Sequence, residues 1–266
     1  WYAMYIDRFP GVQTMLGWTG YGGCQAIPSL YYIDNFNREA DLRWRDLHQW
    51  VWYYNDPADD RSEFPDNQWR EYIDTALYCC PDVLPAAERE RMKTCYTFFD
   101  RNDMYDAKGV PQDRWTFIGM TKFYDHTRPG NMSTLSDRSY PVIRLGELYL
   151  IRAEAYCQKN DFSKAGNDLS TLRKMRYKSG GTINVTKDNW LQTISDERLR
   201  ELYMEGFRLH DLKRWHKGFE RKPQANSQAE GSSLKIEADN PLFVWPIPQH
   251  ELEAPGSEIL PNESNR

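Results

Sequence analysis

Long apolar runs are missing from this sequence. Nowhere do about 18 apolar residues follow one another, the length a helix needs to cross a bilayer. The opening WYAMYIDRFPG lacks the basic, apolar and small-residue order of a secretory leader and reads as mid-chain sequence. Basic charge is not in excess either: 34 Lys and Arg stand against 39 Asp and Glu, for a net charge of −5, with no basic cluster. Phosphate binding needs grouped Lys and Arg, so a nucleic-acid partner is not expected. Cysteine is sparse and odd in number, with Cys24, Cys79, Cys80, Cys95 and Cys157 in neither CxxC nor Cys/His-paired spacing, which argues against zinc. Two readings stay open for them: a bridge from the adjacent Cys79–Cys80 pair to Cys95, or buried free thiols. The five histidines are scattered, and His210 and His216 have no second ligand type at a suitable spacing. Neither a metal nor a cofactor is expected.

What is present is a chain of 266 residues, 40% hydrophobic and 27% charged, enough to bury a core as one large domain or two small ones. Aromatics reach 14% and are uneven: of 38 Phe, Trp and Tyr residues, 14 precede residue 55. GWTGYGG (17–23) is a loop by its glycines. In HQWVWYYND (48–56) Trp50, Trp52 and Tyr54 alternate, and on a strand those rings would line one face at ~6.5–7 Å intervals. A proline-studded, charged stretch follows, with a helix expected between Ala86 and Phe99. RWTFIGMTKFYD (114–125) reads as a second strand and HTRPGNMSTLSD (126–137) as a loop.

From Tyr140 the periodicity turns helical. Leu145, Leu148, Ile151 and Ala155 recur at helical spacing, and after the turn KNDF a second helix is expected with Ser163 as N-cap. Its stripe is Ala165, Leu169, Leu172 and Met175, and Gly180–Gly181 ends it. Ala153, Tyr156 and Ala165 have the spacing of a tetratricopeptide hairpin, a unit that needs neighbours to bury its face. A third helix is expected from about Asn189 to Trp215, with Leu199, Leu202, Gly206 and Leu209 as its stripe and Gly206 marking a close backbone approach. Its Glu197, Glu201 and Glu205 share a face at i, i+4 and i+8, with Arg198 and Arg208 within a turn. Arginine lowers a carboxyl pKa, the opposite of what a general acid needs, so an ion-paired scaffold is preferred to a glycosidase-like acid pair. The proline-rich NPLFVWPIPQHELEAPG is extended.

These segments resemble a known family. YPVIRLGELYLIRAEAYCQKNDFSKAGNDLSTLRKMR, ISDERLRELYMEGFRLHDLKRW and FVWPIPQHEL are similar, in order and register, to the SusD/RagB family of Bacteroidota outer-membrane nutrient-binding lipoproteins. The residues that carry the likeness are Ala153–Glu154–Ala155, Arg173, Arg176, Glu197–Arg198, Glu201–Leu202, Glu205–Gly206, Arg208, Asp211–Leu212, Arg214–Trp215, Pro246–Ile247–Pro248 and Glu251. Upstream, IPSLYYIDNFNREADLRW extends it through Asp41 and Arg43. The resemblance implies a mostly α fold, a tetratricopeptide-like αα superhelix with long loops and a few short β-strands, in which these motifs are architectural. It further implies that the chain corresponds to the C-terminal half of such a protein, with signal peptide and lipid anchor lying outside it, and that the tail GSEILPN departs from the usual pattern.

The same resemblance implies non-catalytic capture of a nutrient, usually a glycan or oligosaccharide, at the surface of the outer membrane, in partnership with a SusC-like TonB-dependent transporter. Residues 1–138 are read as the loop- and aromatic-rich part that binds ligand, and 139–266 as the helical part, within one folded unit. Sugars present apolar C–H faces with hydroxyl rims, so the expected platform is Trp18, Tyr21, Trp50, Trp52, Tyr53 and Tyr54, with Asn55 and Asp56 as orienting polar groups. The competing reading packs these rings into a core, where Trp44, Trp215 and Trp245 are also assigned. Peptide binding within the same family and a tetratricopeptide-type protein-interaction module are the rival functions, with a glycoside hydrolase third.

Overall fold

The computed structural model describes residues 12–13, 28–49, 51–54, 76–79, 85–93, 96–112, 118–120, 122, 139, 141–220 and 235–262. They form a mostly helical fold with a few short strands, in two compact units, one ending at Glu201 and the other starting at Leu202.

In the first unit, β1 (Val12–Gln13) precedes α1 (Leu30–Asp34), α2 (Leu42–Asp46), β2 (His48–Gln49) and β3 (Val51–Tyr54). Ser29 caps α1 by accepting from the Tyr32 amide, and Asp41 caps α2 by accepting from the Arg43 amide. β4 (Ala76–Cys79), α3 (Ala86–Met92), β5 (Tyr96–Phe99), α4 (Arg101–Met104) and β6 (Gly119–Met120) follow. The helix expected over Ala86–Phe99 therefore stops at Met92, and its second half, rich in aromatic and β-branched residues (YTFF), is a strand. The strand order β1-β3-β4-β5 has antiparallel pairs except β4 with β5, which is parallel. β2 instead pairs with β6, His48 opposite Met120. The aromatic run 48–56 thus changes partner sheet within itself.

α5 (Leu145–Gln158) and α6 (Phe162–Lys174) make the tetratricopeptide-like hairpin, and α7 (Trp190–Glu201) packs on α5. Ala153 and Ala165 are fully buried where the helices meet, and Arg152 forks onto Asp168 across the hairpin at 2.7 and 2.8 Å. The N-cap of α6 is Asp161, whose side chain accepts from the Lys164 amide at 3.1 Å, rather than Ser163. α6 ends at Lys174, before Gly180, and leaves Met175 exposed beyond the buried Ala165, Leu169 and Leu172. The stripe expected on α5 faces outward: Leu145, Leu148 and Ile151 are exposed, while Gly146, Glu147, Leu150, Ala153, Glu154 and Cys157 are buried.

The long third helix is two helices. α7 ends at Glu201, and α8 (Phe207–Arg214) begins in the second unit after Met204 and Gly206, both with positive φ. Among the described residues, and beyond its own chain neighbours, Gly206 (φ 87°) has no atom within 4 Å of where a Cβ would stand, so it serves a left-handed turn and not a close approach. The second unit continues with β7 (Phe219–Glu220) antiparallel to β8 (Lys235–Ile236), a 3-10 turn at Pro241–Phe243 and α9 (Gln249–Leu252). Trp215 is buried as expected, with the Arg214 guanidinium 4.6 Å over its ring. Trp245 is not a core residue: it is 82% exposed, and the proline-rich stretch around it, expected to be extended, holds the 3-10 turn and α9.

Candidate functional site

Two features compete for function, the acids of α7 and the aromatic segment that contains β3. Glu197 and Glu201, one turn apart, both point inward and are buried with Asp41. Arg43 sits among all three. Its Nε and Nη2 donate to Asp41 at 2.9 and 2.8 Å, Nη2 lies 2.8 Å from Glu197 Oε1, and Nη1 donates to Glu201 Oε2 at 3.0 Å. Arg176 forks onto both Glu201 oxygens at 2.9 and 3.0 Å. Arg144 binds the same carboxylate, Arg200 donates to Glu197 at 2.6 Å, and Arg173 lies 3.5 Å from it. Of these five cations only Arg200 belongs to α7, so the charges are met from across the fold.

The electrostatics follow from that geometry. Burial pushes both carboxyls up, but the arginines outweigh it, holding Glu197 below its ordinary value and Glu201 down at about 2. Burial likewise works against the charge on Arg43, and Glu197, Asp41 and Glu201 outweigh it in turn, raising its pKa. A carboxylate held ionised at every ordinary pH cannot deliver a proton as a general acid. The cluster ties together the chain around Asp41, the segment after α6 and α7. Leu42 N donates to Arg176 O at 2.7 Å and Lys178 N to Ala40 O at 2.9 Å alongside it. Glu205, the third acid of the expected face, lies beyond the end of α7.

Of the expected platform, Trp18, Tyr21, Trp50, Asn55 and Asp56 lie outside the described residues. The backbones of Trp52, Tyr53 and Tyr54 form β3, in register with Leu77 of β4 and with Gln13 and Val12 of β1. What precedes that strand is well defined. His48 is buried in a box of rings, 5.5 Å from Tyr32, 5.4 Å from Phe36 and 5.2 Å from Trp44 between centroids. The Arg38 guanidinium stacks 4.9 Å over Trp44, which is buried as the sequence predicts. Burial drives the His48 pKa down to about 4, against the pull of the Trp44 and Arg43 carbonyls, so the imidazole is neutral. On the paired strand, Lys122 follows β6 and donates to the Glu201 main-chain oxygen at 2.9 Å, at the C-terminal end of α7 where a cation is favoured.

Sequence reasoning passed over His48, Tyr32, Lys122 and Arg144. The one local signal for His48 was its place at the head of an aromatic run; the others are brought in from distant segments. Among the described residues no cluster of His, Cys, Asp and Glu is arranged to hold a metal, and Cys157 is a buried thiol whose pKa burial raises to about 11. The choice between a bridge from Cys79 or Cys80 to Cys95 and free thiols there lies outside what the structure describes.

The model of the SusD family matches residues 3–257. Starch-binding protein SusD of Bacteroides thetaiotaomicron is 36% identical over 110 residues, which are 41% of this chain and 19% of that protein. The crystal structure of a SusD superfamily protein from Bacteroides vulgatus ATCC 8482 aligns at 17% identity with a TM-score of 0.39, over 77% of this chain and 37% of that one. The matches thus span well under half the length of either relative. With nearly every residue inside the family match, the chain belongs to the SusD family.

Proposed function

We propose that this chain captures a glycan or oligosaccharide at the cell surface without turning it over, for delivery to a SusC-like TonB-dependent transporter of the outer membrane. The observation that carries the reading is family membership across residues 3–257, with a 110-residue likeness to a protein named for starch binding. Two physical features support it. The carboxylates that a hydrolase reading would recruit are buried and arginine-bound. The aromatic-rich first quarter supplies flat rings beside polar groups, the requirement for a sugar face. Trp18, Tyr21, Trp50, Trp52, Tyr53 and Tyr54, with Asn55 and Asp56, are the residues proposed for it.

Affinity electrophoresis against soluble plant, host and microbial polysaccharides tests the proposal. One glycan is expected to retard the wild-type chain, and Trp18→Ala/Tyr21→Ala or Trp50→Ala/Trp52→Ala to reduce that retardation at least tenfold with the fold intact. Retardation by none of them would count against glycan capture. No reducing ends are expected above a heat-killed control; their release would restore the hydrolase reading.

One observation favours a protein partner as the second reading. Leu145, Leu148 and Ile151 form an exposed aliphatic row on α5, with Val142 and Ile143 exposed just before it. Contiguous exposed apolar patches are a mark of interaction surfaces.

A further inference from the structure

β3 follows β2 after a single residue, so whatever fixes β2 sets where the aromatic strand starts. The grip on β2 is the His48 side chain. Its Nδ1 lies 3.0 Å from the Trp44 carbonyl oxygen and 3.2 Å from that of Arg43. Carbonyls only accept, so Nδ1 carries the proton. Nε2 is then the acceptor, and the Tyr32 hydroxyl, 2.6 Å away, donates to it. One imidazole therefore joins α1, through Tyr32, to α2, through its carbonyls, and to the first residue of β2. A leucine or phenylalanine would fill a ring-lined box without desolvating two nitrogens, a cost met here only because both are hydrogen-bonded. Packing alone does not call for histidine at this position.

The partner strand is held as well. Met120 pairs with His48, and Lys122, two residues on, is bonded to the end of α7. The β2–β6 ribbon is thus pinned on one strand to α1 and α2 and on the other to α7.

We propose that His48 is a positioning residue for the ligand platform: by locking the start of β2 to α1 and α2, it fixes the point from which β3, the strand that carries Trp52, Tyr53 and Tyr54, sets out. The consequence for binding rests on the glycan-capture reading; the anchoring of β3 does not.

Hydrogen exchange and glycan retardation on the same variants test both parts. His48→Phe keeps a ring in the box and removes both nitrogens; Tyr32→Phe keeps its ring and removes only the donor. In His48→Phe the amides of residues 51–54 are expected to exchange at least tenfold faster than in wild type, with α5 and α6 unchanged, and retardation by the bound glycan to weaken about tenfold. Tyr32→Phe should show the same local pattern at about threefold, and it carries the test if His48→Phe does not fold. Unchanged exchange at 51–54, or an equal rise across α5 and α6, would make His48 an ordinary core residue and overturn the proposal. If wild type binds no glycan while the local exchange effect is present, the glycan reading falls and the anchoring stands. If exchange rises locally but glycan binding does not change, the positioning role is overturned.

Discussion

Arg43 shows how much of this fold depends on single buried charges. It is 3% exposed and meets three acids at once, so removing it takes the guanidinium from buried Asp41 and leaves Glu197 and Glu201 to their remaining arginines. Breaking a buried pair from one side typically costs about 3–5 kcal/mol, because the remaining charge is left uncompensated. Arg43→Leu is therefore expected to lower the free energy of unfolding by that order, read as a drop in the urea midpoint. Arg45→Leu is its control: Arg45 lies on the same short helix, is exposed, and pairs with its neighbour Asp46 at the surface. An exposed pair is worth about 0–1 kcal/mol. Equal losses for the two variants would show that the buried network does not carry this stability. The sequence holds half of this network openly: the Asp41–x–Arg43 motif, Arg173, Arg176, Glu197 and Glu201 are all visible in it, but nothing in their spacing joins residues about 155 positions apart. Only the fold does that.

At the scale of elements, hydrophobic period located the helices and misjudged their faces and breaks. α5 reads as a stripe of Leu145, Leu148 and Ile151, yet it buries Glu147 and Glu154 beside Leu150 and Ala153. Period counts apolar residues and does not register a buried face that includes glutamates. The run from Asn189 to Trp215 likewise shows an unbroken apolar repeat across Gly206, where the backbone turns left-handed. Two glycine substitutions separate the physical reasons for these positions. Among the described residues, and beyond its own chain neighbours, Gly206→Ala meets no atom, so its cost is the left-handed φ alone, about 1–2 kcal/mol. Gly146→Ala gains helix propensity of about 0.5–1 kcal/mol. Its Cβ, however, would stand 2.6 Å from Glu201 Oε1 and 2.9 Å from Arg144 Nη1, atoms held in the charge network. Overpacking of that kind costs about 1–3 kcal/mol. Thermal melts should therefore find both variants destabilised; a Gly146→Ala protein that melts higher than wild type would mean that the network yields easily around Glu201.

For the whole molecule the same buried groups set how stability responds to acid, and the signs can be worked through. His48 has an ordinary value of 6.5 and a folded value of about 4. Above 6.5 it is neutral whether the chain is folded or not, and the fold has its full stability. Between 6.5 and 4 the unfolded chain takes up a proton that the buried imidazole refuses, so stability falls over that window, by roughly 3 kcal/mol in all. Glu201 is depressed from 4.5 to about 2, and Glu197 is lowered too. Their contribution is complete above 4.5 and is lost as pH falls toward 2, so acid acts on this fold in two successive windows. Urea unfolding at pH 7.5, 5.5, 4.5 and 3 is expected to show a decline that begins well above the carboxylate range. In His48→Phe the upper window should flatten while the lower one remains, because Arg43, Arg144 and Arg176 still hold Glu201. A wild-type stability that is level from pH 7 to 4.5 would mean that the imidazole accepts a proton in place, with the Tyr32 hydroxyl turned to accept from Nε2 and the burial of the charge offset. Because the folded imidazole stays neutral down to about 4, retardation by the glycan proposed as ligand should persist through the upper window in the fraction that remains folded, and its loss there should coincide with global unfolding.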